Sequence, residues 1–170
     1  MKKFLMLNLF FMLFVCQAFS IDNIVGFWKT IDEKSGKARS IIGIYEYQGK
    51  YYGRIVGTFD ESGKNIEDTV DKPKKRAPGV IGNPFYSGLD IIWDLQNQGN
   101  KFINGEILDP QKGKIYGAEM WLKNDKLVVR GKLFFFGRNQ TWLPVHDNEF
   151  KNGFKKPDLR LFVPSIPQVK

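Results

Sequence analysis

Apolar and polar positions alternate through the middle of the chain: Leu89, Ile91, Trp93 and Leu95 fall on one side of a run whose other side carries Asp90 and Asp94. A period of two is the mark of a half-buried strand. The same test predicts eight strands, near residues 24–31, 38–47, 51–59, 89–97, 101–108, 114–122, 126–136 and 139–145. Turn-forming residues separate nearly all of them: Lys34-Ser35-Gly36, Gln48-Gly49, Gln98-Gly99-Asn100, Asp109-Pro110-Gln111-Lys112-Gly113, Asn124-Asp125 and Gly137. Such short connections make sequence neighbours into antiparallel hairpins. No segment has a helical period.

Alternation also assigns faces. Trp93 and its partners point inward, as do Tyr51, Gly53, Ile55, Gly57 and Phe59, then Ile103, Gly105 and Ile107, then Tyr116, Ala118, Met120 and Leu122, then Leu127, Val129, Gly131, Leu133 and Phe135. Ile41 and Ile42 both look buried, which leaves the second strand undecided. Six of the eight runs hold a mid-strand glycine (Gly26, Gly43, Gly53 with Gly57, Gly105, Gly117, Gly131). Glycine weakens a strand interior, so its recurrence calls for a cause, and a sheet that curls until its edges meet needs both tight bends and internal room. The expected fold class is all-β: an eight-stranded antiparallel up-and-down barrel with a long loop between its third and fourth strands and a carboxy-terminal extension.

Three segments stand outside this meander. Lys2 and Lys3, the apolar stretch Phe4 to Val15 and the small-residue site at Ala18-Phe19-Ser20 form an export signal, expected to be cleaved after residue 20. The protein is therefore expected to be exported, periplasmic or secreted, and its only cysteine, Cys16, leaves with the leader. Residues 60–88 carry Pro73, Pro78, Pro84 and the basic run Lys72-Pro73-Lys74-Lys75-Arg76, a composition that suits a lid or binding loop. Residues 146–170 mix polar stretches with Phe150, Phe154 and Leu159-Arg160-Leu161-Phe162-Val163; so apolar a tail is expected to dock on the barrel or on a partner. The barrel domain itself is expected over residues 21–145.

Composition narrows the chemistry. With one histidine, His146, and no cysteine beyond the leader, histidine-metal clusters and Cys-His or Ser-His-Asp catalysis lack material. Alternation turns Glu106 outward, where an acid ordinarily serves solubility, and with Glu119 the only other carboxylate weighed for chemistry, no enzymatic activity, cofactor or metal is expected. Asp32 to Lys37, Asp60 to Lys64 and Asp109 to Lys114 each end in Gly-Lys, as hairpin turns do, and lack the oxygen-ligand spacing of a calcium loop. A formal net charge of +8 favours anionic partners. Lys72, Lys74, Lys75 and Arg76 are the candidate anion contacts, for a membrane surface or a glycan; aromatic residues do not interleave with them as nucleic-acid binding would need.

Gly26-Phe27-Trp28-Lys29-Thr30 resembles the G-x-W signature of lipocalins, in which the tryptophan plugs the closed end of the barrel and an arginine beyond the last strands packs across it; the resemblance assigns those parts to Trp28 and Arg138. A closer likeness spans Ile24 to Thr30, Gly36 to Ser40, Gly49 to Ile55, Leu108 to Tyr116 and Gly137 to Trp142: these segments resemble the exported bacterial family called domain of unknown function 2147, which is similar to lipocalins in fold and implies no catalytic residues. Members often carry a cysteine pair in the long loop, and this chain has none. The likeness implies a lipocalin-like binding protein for a small apolar or amphipathic ligand, with Ile55, Trp93, Met120, Val129, Leu133 and Phe135 as the lumen contacts. The competing expectation is an interaction module with a packed lumen, acting through the basic loop 72–76 and the apolar tail.

Overall fold

The computed structural model describes residues 23–134, 136–150 and 154–170, so the export signal, Cys16 and Phe135 lie outside the described residues. Nine strands follow one another: β1 (Gly26–Ile31), β2 (Ala38–Tyr47), β3 (Lys50–Phe59), β4 (Ile66–Thr69), β5 (Asp90–Gln98), β6 (Lys101–Asp109), β7 (Lys114–Lys123), β8 (Lys126–Leu133) and β9 (Phe136–Pro144). Antiparallel pairing runs β2-β1-β9-β8-β7-β6-β5-β3, and β2 pairs again with β3, which closes an eight-stranded barrel. The short β4 pairs only with the outer end of β3, inside the long connection. The final hairpin turns at Phe134, in the left-handed region at φ 54°, and not at Gly137.

One half of the barrel is packed solid. Trp28, Ile42, Ile44, Leu95, Phe102, Met120, Leu127, Val129 and Trp142 are all buried in a single core. Trp28 donates from Nε1 to the Ile24 carbonyl at 2.8 Å, which satisfies its one polar atom.

Three bulges correct the faces expected from simple alternation, because each extra residue turns the positions beyond it to the other side. Between β2 and β3, Ile42 faces Ile55 but Ile41 faces Gly57, so Gly57 and Phe59 stand on the outside. The same slip resolves the second strand: Ile42 points inward, while Ile41 joins Phe27 and Val56 in an outer apolar cluster. Asn104, at φ 60°, turns Phe102 inward in place of Ile103. Asp94, at φ 61°, lets Ile92 and Leu95 point inward, and Trp93 stands on the outer face opposite Glu106, donating to its Oε2 at 2.6 Å.

The carboxy-terminal residues run as a belt over the outer face of β1, β2, β3 and β5. Phe150 meets Phe27 edge-on at 5.3 Å and stacks on Phe154 at 5.0 Å, while Lys29 pairs with Glu149. Phe162 meets Tyr45 edge-on at 5.2 Å and lies under the Arg54 guanidinium at 4.6 Å. Val169 pairs with Val80 and Lys170 donates to the Gly79 carbonyl, so the chain ends against the long loop. Glycine explains how the belt lies so close. A methyl group at Gly43 would stand 2.7 Å from Leu159 Cδ2, and one at Gly57 would stand 3.0 Å from Phe154 Cε2.

Candidate functional site

The other half of the barrel is open. Pairing fixes which residues face it: Met120 opposes Val129, which opposes Gln140, and Ala118 opposes Gly131, which opposes Arg138. Met120 and Ala118 are buried, so this row is the lumen side, yet Gln140 and Arg138 on the same side are exposed. The reason is the seam between first and last strands. β9 pairs with β8 over seven positions but with β1 only at Trp28–Pro144 and Lys29–Leu143. Above Lys29 the two strands part, and the ion pair of Arg138 with Glu33, from the β1–β2 turn, is what spans the gap.

On this side of the sheet Val129, Met120 and Trp142 are buried, Ile107, Tyr116 and Gly131 half-buried and Arg138 and Gln140 exposed, an arrangement that makes this end of the lumen a shallow bowl. Arg138 and Gln140 are its polar groups, and Trp142 Nε1 reaches Gln140 Oε1 at 3.3 Å. At Gly131 a methyl group would fit without a clash, in ordinary contact with Ile107 Cγ2 and Tyr116 Cβ, both at 3.9 Å. The inward Gly53 and Gly105 are different, since Ile92 and Leu95 already fill the space beside them, 2.8 and 2.5 Å from where a methyl would stand. Of the recurring strand glycines, then, Gly53 and Gly105 admit neighbouring core side chains and Gly43 and Gly57 admit the belt, while Gly131 leaves room for a side chain on the lumen side.

The predicted lumen residues divide accordingly. Met120 and Val129 meet the bowl as its floor, and Ile55 is packed deeper in the core. Trp93 is outside the barrel wall. Leu133 is at the rim, 54% exposed. Trp28 lies at the packed end, but Arg138 does not cross it. Arg138 is six residues along β9 from Pro144, the partner of Trp28, or roughly 20 Å of extended strand. Its place at the open end follows from the register of β9 against β8.

A second concavity, of about 800 Å³, lies on the outside, where the belt meets the long loop. Ile31, Ile41, Phe59, Ile66 and Phe154 give it an apolar floor, and Lys64, Lys72 and Lys74 edge it. The basic run is thus split. Lys72 and Lys74 reach the groove, Lys75 pairs with Glu67, and Arg76 lies over the Phe85 ring at 4.0 Å. Buried Asp68 holds the run in place, its Oδ2 accepting from the backbone N–H of Lys74 at 3.2 Å and of Lys75 at 2.7 Å. The long connection is tethered to the barrel by the Gly88 N–H on the Ile55 carbonyl and the Gly79 N–H on the Pro110 carbonyl.

Underneath the belt sits a buried carboxylate of the outer wall. Asp90 accepts from Arg54 Nε and Nη2 at 2.9 and 2.7 Å, from the Tyr45 hydroxyl at 2.9 Å and from the Ser165 backbone N–H at 2.7 Å. Burial, and then the Asp90 charge, push the Tyr45 phenol well above the usual tyrosine range, so it remains a donor. The two outward acids are also engaged: Glu106 accepts from Trp93, and Glu119 accepts from Lys132, a hydrogen bond that holds the Glu119 pKa below the ordinary carboxylate value.

Residues 26–143 match the family model described as an uncharacterized protein conserved in bacteria, domain of unknown function 2147. The chain belongs to that family. Among solved structures it is similar to protein HP1028 from the human pathogen Helicobacter pylori, described as belonging to the lipocalin family, with a TM-score of 0.60 and 22% identity over 85% of this chain and 93% of that one. At that identity the likeness concerns the fold: this family member is a lipocalin-like barrel. No curated protein matches it.

Proposed function

We propose that this family member is an exported carrier or sequestering protein that takes a small, largely apolar ligand, with its polar or acidic end at Arg138 and Gln140, into the open half of the barrel. The supporting observation is that Arg138 and Gln140 are exposed on the lumen side of β9, next to buried Met120, Val129 and Trp142 on the same side. The signal-like residues 1–20 support export, to the periplasm or beyond. Burying roughly 300 Å² of acyl chain at about 25 cal/mol per Å² contributes on the order of 7 kcal/mol before association costs, which suits micromolar affinity. Gly131→Phe fills the bowl without touching the packed half. Titration with palmitate, followed by calorimetry, should show binding to the wild type and at least ~tenfold weaker binding to the variant at an unchanged thermal midpoint. Equal affinity for both proteins would place the ligand elsewhere. If palmitate does not bind and native mass spectrometry of the purified protein finds no retained small molecule, the carrier reading fails.

The outer groove supports a second reading, since it brings the basic loop and the apolar tail into one surface. An anionic chain such as a sulfated glycan would lie against Lys64, Lys72 and Lys74. Lys72→Glu with Lys74→Glu should then elute from a heparin column at clearly lower salt than Lys112→Glu with Lys114→Glu, which carries the same charge change outside the groove. Identical elution of the two variants would reduce the effect to net charge.

A further inference from the structure

We infer that the tip of the β8–β9 hairpin is a membrane-docking element that inserts into the surface of an anionic phospholipid bilayer. Phe134 is 90% exposed, Phe136 82% and Leu133 54%, and all three belong to the one hairpin turn between β8 and β9 at the mouth of the barrel. Among the described residues of the other strands the most exposed large apolar side chain is Ile115 at 37%; here three more exposed ones protrude together, and Phe134 is held in the left-handed conformation that a bulky residue rarely adopts. Neighbouring strand ends and turns supply Lys112, Lys114, Arg130, Lys132 and Arg138, against Asp109, Glu119 and Glu33. Lys114 has no ion-pair partner among the described residues.

An apolar tip ringed by cations is the pattern of an interfacial anchor: the rings enter the headgroup–acyl boundary while the long basic side chains reach back to lipid phosphates. Three protruding side chains are far too little for a stable protein–protein interface, which needs about 800 Å² from each partner. A second copy of a chain with net charge +8 would also set the same cations against each other. A bilayer supplies the apolar depth and the negative charge together. Docked this way, the mouth of the bowl faces the lipid, although the docking itself does not depend on the bowl holding a ligand.

The test is co-sedimentation of the exported form, residues 21–170, with large vesicles of equal parts phosphatidylglycerol and phosphatidylcholine at low salt, beside vesicles of phosphatidylcholine alone. Wild type should bind the mixed vesicles, and Phe134→Ser with Phe136→Ser should lower the partition coefficient by on the order of tenfold or more. Both side chains are exposed, so the double variant keeps its circular dichroism and thermal midpoint. Gly131→Phe, which closes the bowl, should bind vesicles like the wild type, and that separates this inference from the carrier reading. Equal sedimentation of wild type and double variant overturns the assignment. So does binding that ignores phosphatidylglycerol, or a wild-type dimer in analytical ultracentrifugation that the double variant splits, which would make the tip a self-association surface.

Discussion

Asp90→Ala is expected to cost about 3–5 kcal/mol of folding stability, the typical penalty for removing one partner of a buried ion pair. The Asp90 side chain is fully inaccessible, and that of Arg54 is only 16% accessible, so the substitution leaves a guanidinium with little water to replace what it loses. Tyr45 loses its acceptor and Ser165 loses the carboxylate that receives its backbone N–H. The loss should therefore reach the belt as well as the barrel. Urea denaturation would report the global change, and limited proteolysis would report earlier cleavage between residues 162 and 168. Asp90→Asn, which keeps the shape and an acceptor oxygen but removes the charge, should fall between alanine and wild type. A cost below about 1 kcal/mol for Asp90→Ala would mean that Arg54 swings out to solvent and that the belt is held by its apolar contacts alone.

Trp142→Ala should cost a similar amount, about 3–5 kcal/mol, for a different reason. Trp142 is 2% exposed and fills the barrel where the packed half meets the open one, opposite Leu127 on β8. Its removal leaves a void beneath the bowl that the surrounding strands cannot collapse into, because their spacing is fixed by the ladder. Such a cavity is lined mainly by apolar groups and should accept a small aromatic molecule. Indole in solution is expected to raise the thermal midpoint of Trp142→Ala and leave that of the wild type unchanged. If the variant is destabilised by less than about 1 kcal/mol, the floor is not the rigid partition described above.

The path of the chain was legible in its sequence to a useful degree because strand pairing in a meander is local. Period-two alternation, and turns such as Gln48-Gly49 and Asn124-Asp125, specify hairpins between neighbours, and eight such hairpin partners leave few ways to close. Side-chain direction along β7 could be read in the same way, since that strand has no bulge: Tyr116, Ala118 and Met120 do share the inner face. Where Asp94 and Asn104 adopt left-handed backbone, alternation misled, and it placed Trp93 and Ile103 on the wrong side. Aspartate and asparagine are the residues that tolerate that conformation, so their presence inside strands was the one available hint.

The parts of the candidate site that were missed depend on contacts distant in sequence. Nothing local says that Lys72 and Lys74 share a groove with Phe154, or that Lys75 is paired with Glu67 and Arg76 with a ring. Arg138 was assigned to the closed end by family likeness. The register of β9 carries it to the open end, where its partner is Glu33, 105 positions away.

The sequence by itself determined that this chain makes antiparallel hairpins, that they close on themselves, and which residues punctuate them, because alternation and turn chemistry act over a few neighbouring residues. Only the tertiary structure decided what the glycines are for and where the hollow lies. A missing side chain creates space whose owner is whatever packs there: the belt at Gly43 and Gly57, and a neighbouring core residue at Gly53 and Gly105, whereas at Gly131 the nearest described atoms stand 3.9 Å away. That assignment follows from how far β1 and β9 stay paired and from where the described residues beyond β9 lie, and both are settled by packing between parts of the chain that local pattern does not connect.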